Sequence, residues 1–139
     1  NNGVIARISN LYGVGMSTEN VFSKIIQQVR CAGEIKVWND KPIRDFLWID
    51  DAVDALVKMA LGKARGIYNV ASGRAVSIKE LVNTVLITSG CDKKCNLSVT
   101  KPSDEYSSIM LDISDTSNSF NWTPKMKLED GIKQLLNNR

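Results

Sequence analysis

The chain has 139 residues, 43% of them hydrophobic and 24% charged, which is the composition of a folded globular domain rather than a disordered or fibrous one. Its 18 basic and 15 acidic residues leave a net charge of +3 and do not cluster, so they give no support for nucleic acid or a membrane surface as partner. Histidine is absent, and the three cysteines, Cys31, Cys91 and Cys95, include no C-x-x-C pair; the commonest general base, the usual catalytic triads, a disulfide framework and a zinc ribbon are all disfavoured.

Val4 to Ile8 is β-branched and almost continuously apolar, as expected of a strand buried on both faces of a parallel sheet with neighbours on both sides. Asn10 to Gly15 carries two glycines and reads as a turn, after which Ser17 or Thr18 is placed to cap a helix with Val21, Phe22, Ile25, Ile26 and Val29 on one face and Gly33 as its stop. Ile35 and Val37 alternate with Lys36 and Trp38 in a short strand, Asn39 to Pro42 turns, and Asp45 to Ile49 forms the next strand. Asp50 and Asp51 fall where an N-cap belongs, ahead of a helix whose stripe of Val53, Leu56, Val57 and Ala60 is expected to face inward, with Gly62 as its stop. Gly66 to Val70 is a further strand. Ser77 and Glu80 have the spacing of a capping box, opening a helix that runs through Leu81, Val82, Val85 and Leu86 to Gly90. Cys91 to Asn96 reads as a polar loop, Leu97 to Thr100 as an edge strand and Ile109 to Asp112 as another short strand. A helix near Ser114 to Phe120, a turn at Trp122-Thr123-Pro124 and a helix from Leu128 to Leu136 complete the chain. Alternating short strands and helices predict an α/β fold.

No segment reaches the roughly 20 apolar residues that span a bilayer. The start, Asn1-Asn2-Gly3-Val4, carries neither an initiator Met nor a secretory pattern. The expectations are reduced thiols, a cytoplasmic setting and a sequence cut from a longer one.

Two segments carry chemistry. Arg7-Ile-Ser-Asn10-Leu-Tyr12-Gly13-Val-Gly15 and Arg44-Asp45-Phe46-Leu-Trp-Ile-Asp50-Asp51 resemble the R-x-x-N-x-Y-G-x-G and R-D-F-x-x-V-x-D signatures of the extended short-chain dehydrogenase/reductases, the NAD-dependent nucleotide-sugar epimerases and dehydratases. Gly66-Ile-Tyr68-Asn69-Val-Ala-Ser72-Gly73, Ser77-Ile-Lys-Glu80-Leu81 and the closing run Leu111-Asp112-Ile-Ser114, Asn121-Trp122-Thr-Pro124 and Leu128-Glu129-Asp130-Gly131-Ile132 are similar to that family's later motifs, in the same order. Two of the family's features are missing. There is no glycine-rich dinucleotide turn, since Gly13-Val-Gly15 lacks a third glycine and a helix start at the right distance. The family's catalytic pair is a tyrosine four residues before a lysine, whereas the tyrosines here are followed at that spacing by Met16, Ser72 and Met110.

The resemblance therefore implies that residues 1–139 are the C-terminal, substrate-binding portion of such an enzyme. One or two core parallel strands of an extended Rossmann-like fold would be joined to a small α/β substrate-binding subdomain, and Val4 to Ile8 with the short strands after it would leave an apolar sheet edge exposed, to be covered by the rest of the enzyme or by another copy. NAD or NADP, with the catalytic Tyr and Lys, would belong to an N-terminal half outside this sequence, so the 139 residues alone are expected to be inactive. The implied partners are a nucleoside-diphosphate sugar and that N-terminal half, with a homo-oligomer left open; no catalytic, cofactor-binding or metal residue is expected within the chain. The family's substrate-contacting asparagine falls on Asn10, whose bland alternative is a side chain that closes the turn. Its diphosphate-binding arginine falls on Arg44, otherwise a solvated surface residue. Trp38 matches an aromatic beside the nucleotide base, with core packing as the alternative. Lys101, in Lys101-Pro102-Ser103-Asp104, stands where the family has a diphosphate-binding arginine; it keeps the charge without the fork, or is merely exposed. Val21 and Phe22 lie near the family's substrate-pocket helix but have core spacing. Asp45 is expected to order the turn or to pair locally rather than to touch ligand. A metal or general-acid role for Asp50 and Asp51 is the less favoured reading beside capping. Two further readings are a non-catalytic binding module on the same scaffold and an unrelated cysteine enzyme using Cys91 or Cys95.

Overall fold

The structure is a computed structural model describing residues 3–30, 34–91, 96–104 and 106–138; Gly33, Cys31, Cys95 and most of the loop expected at Cys91 to Asn96 lie outside these residues. Within the described residues, strands β1 (Val4–Ile8), β2 (Asn10–Tyr12), β3 (Glu34–Val37), β4 (Ile43–Trp48), β5 (Gly66–Val70), β6 (Ala75–Ser77) and β7 (Asn96–Val99) are interspersed with helices α1 (Val21–Arg30), α2 (Ile49–Leu61), α3 (Ile78–Ser89), α4 (Ser114–Phe120) and α5 (Leu128–Asn137). The α/β expectation holds.

β1 and β2 are nearly one strand, divided by Ser9. β1 pairs parallel with β5 (Ile5 opposite Ile67), and after Ser9 the chain crosses to pair β2 parallel with β4 (Asn10 opposite Phe46, Tyr12 opposite Trp48). β6 adds an antiparallel edge to β4, and β3 pairs parallel with β7. The expected turn at Asn10 to Tyr12 is thus a short strand, because Tyr12 is drawn into an aromatic cluster: it stacks on Phe22 at 4.6 Å between centroids and meets Trp48 edge-on at 5.2 Å.

That cluster is the centre of the larger core, where α1, α3 and α5 cover β2, β4 and β6 through Ile25, Leu81, Val85, Ile132 and their neighbours. α5 approaches closely because residue 131 is glycine; a Cβ there would collide with the Tyr12 hydroxyl and ring. The capping box of α3 forms as read, with Glu80 N–H donating to Ser77 Oγ (3.1 Å) and Ser77 N–H donating to the Glu80 carboxylate (2.7 Å), and Gly90 closes the helix at φ +64°.

Several local expectations are overturned. The cap of α1 is Asn20, whose Oδ1 accepts from Ser23 N–H at 2.7 Å; Ser17 instead accepts from Glu19 N–H, and its carbonyl takes the Ser23 hydroxyl. Neither acidic residue at the start of α2 caps it. Asp50 accepts from the Trp48 indole N–H (2.9 Å), while Asp51 accepts the backbone N–H groups of Lys125 (3.1 Å) and Met126 (2.9 Å) and so fastens the segment leading to α5. The buried face of α2 is correspondingly Asp51, Ala52, Ala55 and Met59, against Leu47, Phe120 and Trp122, so Val53, Leu56 and Val57 point outward. Residues 109–112 form no strand; a single parallel bridge joins Ser108 to Ile43. Asp112 then turns the chain into α4 by accepting from Ser114 N–H (2.9 Å) and its hydroxyl (2.6 Å).

β1 is not buried on both faces, and apolar residues on it are open to solvent, as expected of the chain taken alone. Among the described residues its one neighbour is β5, and only one face of the pair is covered, by the smaller core of α2 and α4. Ile5 and Ile67, side by side on the other face, are 57% and 58% exposed.

Candidate functional site

Asp45 sets the geometry at the carboxyl end of the first strand. It is fully buried, and its carboxylate accepts from Ser9 Oγ (3.2 Å), Ser72 N–H (2.8 Å) and Gly73 N–H (3.0 Å). One side chain on β4 thereby ties the β1–β2 crossing to the turn after β5: Asp45 does order a turn, but a distant one, and not through local pairing, the alternative expectation. Hydrogen bonds of this charge-assisted kind are the stronger ones in a protein.

The residues singled out in the sequence divide into two groups. Asn10 and Arg44 lie on the same face of the β2–β4 ladder, in the register Asn10 opposite Phe46 with Arg44 two residues before it. Asn10 is exposed and makes no side-chain hydrogen bond among the described residues. Arg44 is not a free surface arginine. Its guanidinium donates to the carbonyls of Ile43 (2.8 Å) and Ser107 (2.7 Å) and to the Ser107 hydroxyl (2.7 Å), holding the 107–109 segment beside the start of β4.

Trp38 and Lys101 form the second group. Trp38 is 73% exposed, which removes the core-packing alternative, and the Lys101 ammonium lies 4.7 Å from its ring centroid. The two loops carrying them are fastened together: Thr100 N–H donates to the Val37 carbonyl (2.9 Å), Lys101 N–H donates to the Trp38 carbonyl (2.8 Å), and Lys41 pairs with Asp104. That pairing holds the Lys41 ammonium above its ordinary range and the Asp104 carboxyl below its own, in both cases chiefly through the shared hydrogen bond. Trp38 walls a cavity of about 530 Å³ that runs from the start of α1 to β3, with Val21, Ile25 and Val37 as its apolar lining and Glu19, Lys24, Lys36 and Thr100 at its polar margin. An exposed aromatic face over a pocket with a few polar groups at its edge is the arrangement that receives a planar ring.

Asn10 and Arg44 do not line that cavity. Val21 does, although its spacing reads as core, whereas Phe22, one residue on, is buried in the aromatic cluster. Lys24, Lys36 and Thr100 went unmarked in the sequence; the alternation that turns Ile35 and Val37 inward was the available sign that Lys36 and Trp38 share the outer face.

The first strand-to-helix turn does not fit a dinucleotide. A pyrophosphate needs free N–H groups at a helix start and glycines that admit it. Here Asn20 already takes the N–H of Ser23, and the space a Cβ would fill at Gly13 is occupied by Ile49. Tyr12 is equally unsuited to proton transfer: burial, with Asp51, Glu129 and Asp130 adding to it, pushes its phenol well above the ordinary value, and its hydroxyl has no partner among the described residues. Among the described residues no group of three metal-ligating side chains occurs and no helix is long and apolar enough to cross a membrane.

Comparison with known proteins places this geometry in a family. Residues 1–71 match the model of the NAD dependent epimerase/dehydratase family. The chain is 37% identical over 110 residues to GDP-L-fucose synthase 1 of Arabidopsis thaliana, covering 77% of this chain and 33% of that protein. It is 30% identical over 138 residues to dTDP-L-rhamnose 4-epimerase of Burkholderia thailandensis, covering 94% and 38%. Among solved structures, UDP-glucuronic acid 4-epimerase of Bacillus cereus, in complex with a fluorinated UDP-glucuronic acid and NAD, superposes with a TM-score of 0.83 at 24% identity over 94% of this chain and 42% of its own. RMD of Pseudomonas aeruginosa, complexed with NADPH, gives 0.86 at 21% identity over 97% and 47%. The chain thus spans between a third and a half of the length of these proteins. The motifs, the α/β architecture and the match over residues 1–71 agree, and the chain belongs to the NAD dependent epimerase/dehydratase family.

Proposed function

We propose that this chain is the nucleotide-sugar-binding portion of an NAD(P)-dependent epimerase or dehydratase. In this reading the cavity beside Trp38 takes the nucleoside, the base lies on the indole face, and the diphosphate lies toward Lys101. Asn10 and Arg44, on the β2–β4 face, complete the substrate contacts, Asn10 through its amide and Arg44 after releasing Ser107. The cofactor and the groups that oxidise the sugar come from polypeptide beyond these 139 residues, which also covers the bare face at Ile5 and Ile67; the chain alone turns nothing over. The setting is cytoplasmic. The observation that carries the reading is the exposed Trp38 at the wall of the cavity, with a lysine over its ring.

Calorimetric titration of the chain with UDP, dTDP, GDP and NAD tests it. Saturable binding of at least one nucleoside diphosphate is expected, weakened by Trp38→Ala, together with no measurable binding of NAD. Tight binding of NAD, turnover of a nucleotide sugar by the chain alone, or failure of every nucleoside diphosphate to bind contradicts it.

A further inference from the structure

The basic residues do not cluster along the sequence, but the fold gathers three of them around a second cavity. Its volume is about 270 Å³, against about 530 Å³ at Trp38, and the two share no lining residue. The wall is largely apolar: Phe46, Val76 and Leu128, each less than a tenth exposed, with Pro124 and Met126 beside them. Arg74, from the turn before β6, and Lys125 and Lys127, from the segment leading to α5, complete the lining together with Ser72. The backbone under these side chains is fixed. The N–H groups of Lys125 and Met126 donate to the buried Asp51, the Arg74 N–H donates to Ser72 Oγ (3.1 Å), and the Ser72 hydroxyl donates in turn to the Arg74 carbonyl (2.9 Å). The charges are unevenly matched. Glu129 pairs with Arg74 at 3.0 Å, whereas neither Lys125 nor Lys127 is ion-paired among the described residues, and Lys127 acts on Glu129 only through its field. Cations grouped on a low-dielectric wall focus the field and concentrate anions there.

We infer that this cavity is a second binding site, one for a small organic phosphate monoester: the phosphate takes Lys125, Lys127 and Ser72, and the organic body lies on Phe46, Val76 and Leu128. The charge selects phosphate. The three cations exceed Glu129 by two positive charges, and a phosphate monoester carries about −1.5 to −2 at neutral pH on three acceptor oxygens, whereas a carboxylate brings a single charge. The apolar wall selects an organic body, because bare phosphate would leave that surface wet. The smaller volume suits a compact group rather than a nucleoside diphosphate. The site is separate from the nucleotide reading above, since Asn10, Trp38, Arg44 and Lys101 do not line it.

Nitrogen-15 shifts of the chain, followed at constant ionic strength while phenyl phosphate, inorganic phosphate or phenol is added, test the site. Phenyl phosphate is expected to move the amides of Ser72, Arg74, Lys127 and Leu128 saturably, and to bind at least about tenfold more tightly than either of its two parts. Lys125→Gln with Lys127→Gln is expected to weaken it by about tenfold or more; both lysines are exposed, and an unchanged melting temperature shows the fold to be intact. Glu129→Gln, which frees Arg74, is expected to strengthen binding several-fold. Binding of phenyl phosphate no tighter than phenol, or no tighter than inorganic phosphate, overturns the inference. Equal affinity in the wild-type chain and the double lysine variant, or saturable shifts centred on the Trp38 indole instead, overturns it as well. UDP and GDP are read at Trp38, so failure here leaves the nucleotide reading standing, and failure of that reading leaves this site standing.

Discussion

The half of the molecule built on β2, β4 and β6 closes on itself, whereas the half built on β1 and β5 does not. In the first, α1, α3 and α5 cover one face of the sheet and bury the aromatic cluster of Tyr12, Phe22, Phe46 and Trp48, while α2 packs on Leu47 behind it. In the second, α2 and α4 cover one face, and Ile5, Ile67 and the outer stripe of α2 remain in contact with solvent. The cavity at Trp38 belongs to the closed half. The walls of the candidate cavity are therefore supported from within the closed half, while the open half presents exposed isoleucines and, among the described residues, an unpaired strand edge of the kind that folded proteins normally cover.

The contact that joins the halves is the most sensitive point. Asp45→Ala leaves the N–H groups of Ser72 and Gly73 and the Ser9 hydroxyl without their buried acceptor, and denaturant unfolding is expected to show a loss of about 3 kcal/mol. Within the closed half, Gly131→Ala sets a helix-propensity gain of up to ~1 kcal/mol against a methyl driven into Tyr12, itself wedged between Phe22 and Trp48. Overpacking wins, and a net loss of about 1–3 kcal/mol is expected.

At the start of α3, Ser77→Ala is expected to cost about 1 kcal/mol. Glu80 in the same box has its carboxyl held below the ordinary value, chiefly by the Ser77 backbone N–H and then by its hydroxyl. A folded-state value below the unfolded one contributes stability that is present above the unfolded value and is lost as pH falls through the folded one. The stability gap between wild type and Glu80→Gln is therefore expected to hold from pH 7 to about 5 and to close below about 4, on thermal scans. A gap that widens with acid contradicts the capping role. The smallest effect is expected on the open face: Ile5→Thr with Ile67→Thr changes stability by no more than roughly 0.5 kcal/mol, as for other exposed positions, yet reduces self-association in sedimentation at high concentration. A loss like that of Asp45→Ala would show this face to be packed after all.

Much of this was legible because local rules governed it. The capping box at Ser77 and Glu80 and the inward faces of α1, α3 and α5 follow from residues within one helix, whereas Asp45 takes its hydrogen bonds from groups 27 to 36 residues away. The failures arose where distant segments decide. Periodicity picked out Val53, Leu56 and Val57 as the buried stripe of α2, since they are its larger apolar residues. Asp51 instead fastens the helix to residues 125 and 126, and Trp122 donates to its carbonyl (3.1 Å), which rotates the alanine face inward. Likewise the match of Arg44 to a diphosphate-binding arginine held no sign that Ser107, far along the chain, occupies its guanidinium. Trp38 was undecided between core and ligand because alternation alone does not show whether anything covers the outer face.

Nitrogen-15 chemical shifts of the chain, recorded while GDP or UDP is added, test the division most directly. Saturable shifts are expected at the Trp38 indole and at the amides of Val21, Val37 and Thr100, with Ile5 and Ile67 unmoved. Shifts centred on the β1–β5 face with the Trp38 indole silent, or no saturable shift with either nucleotide, would contradict the assignment of ligand binding to the closed half.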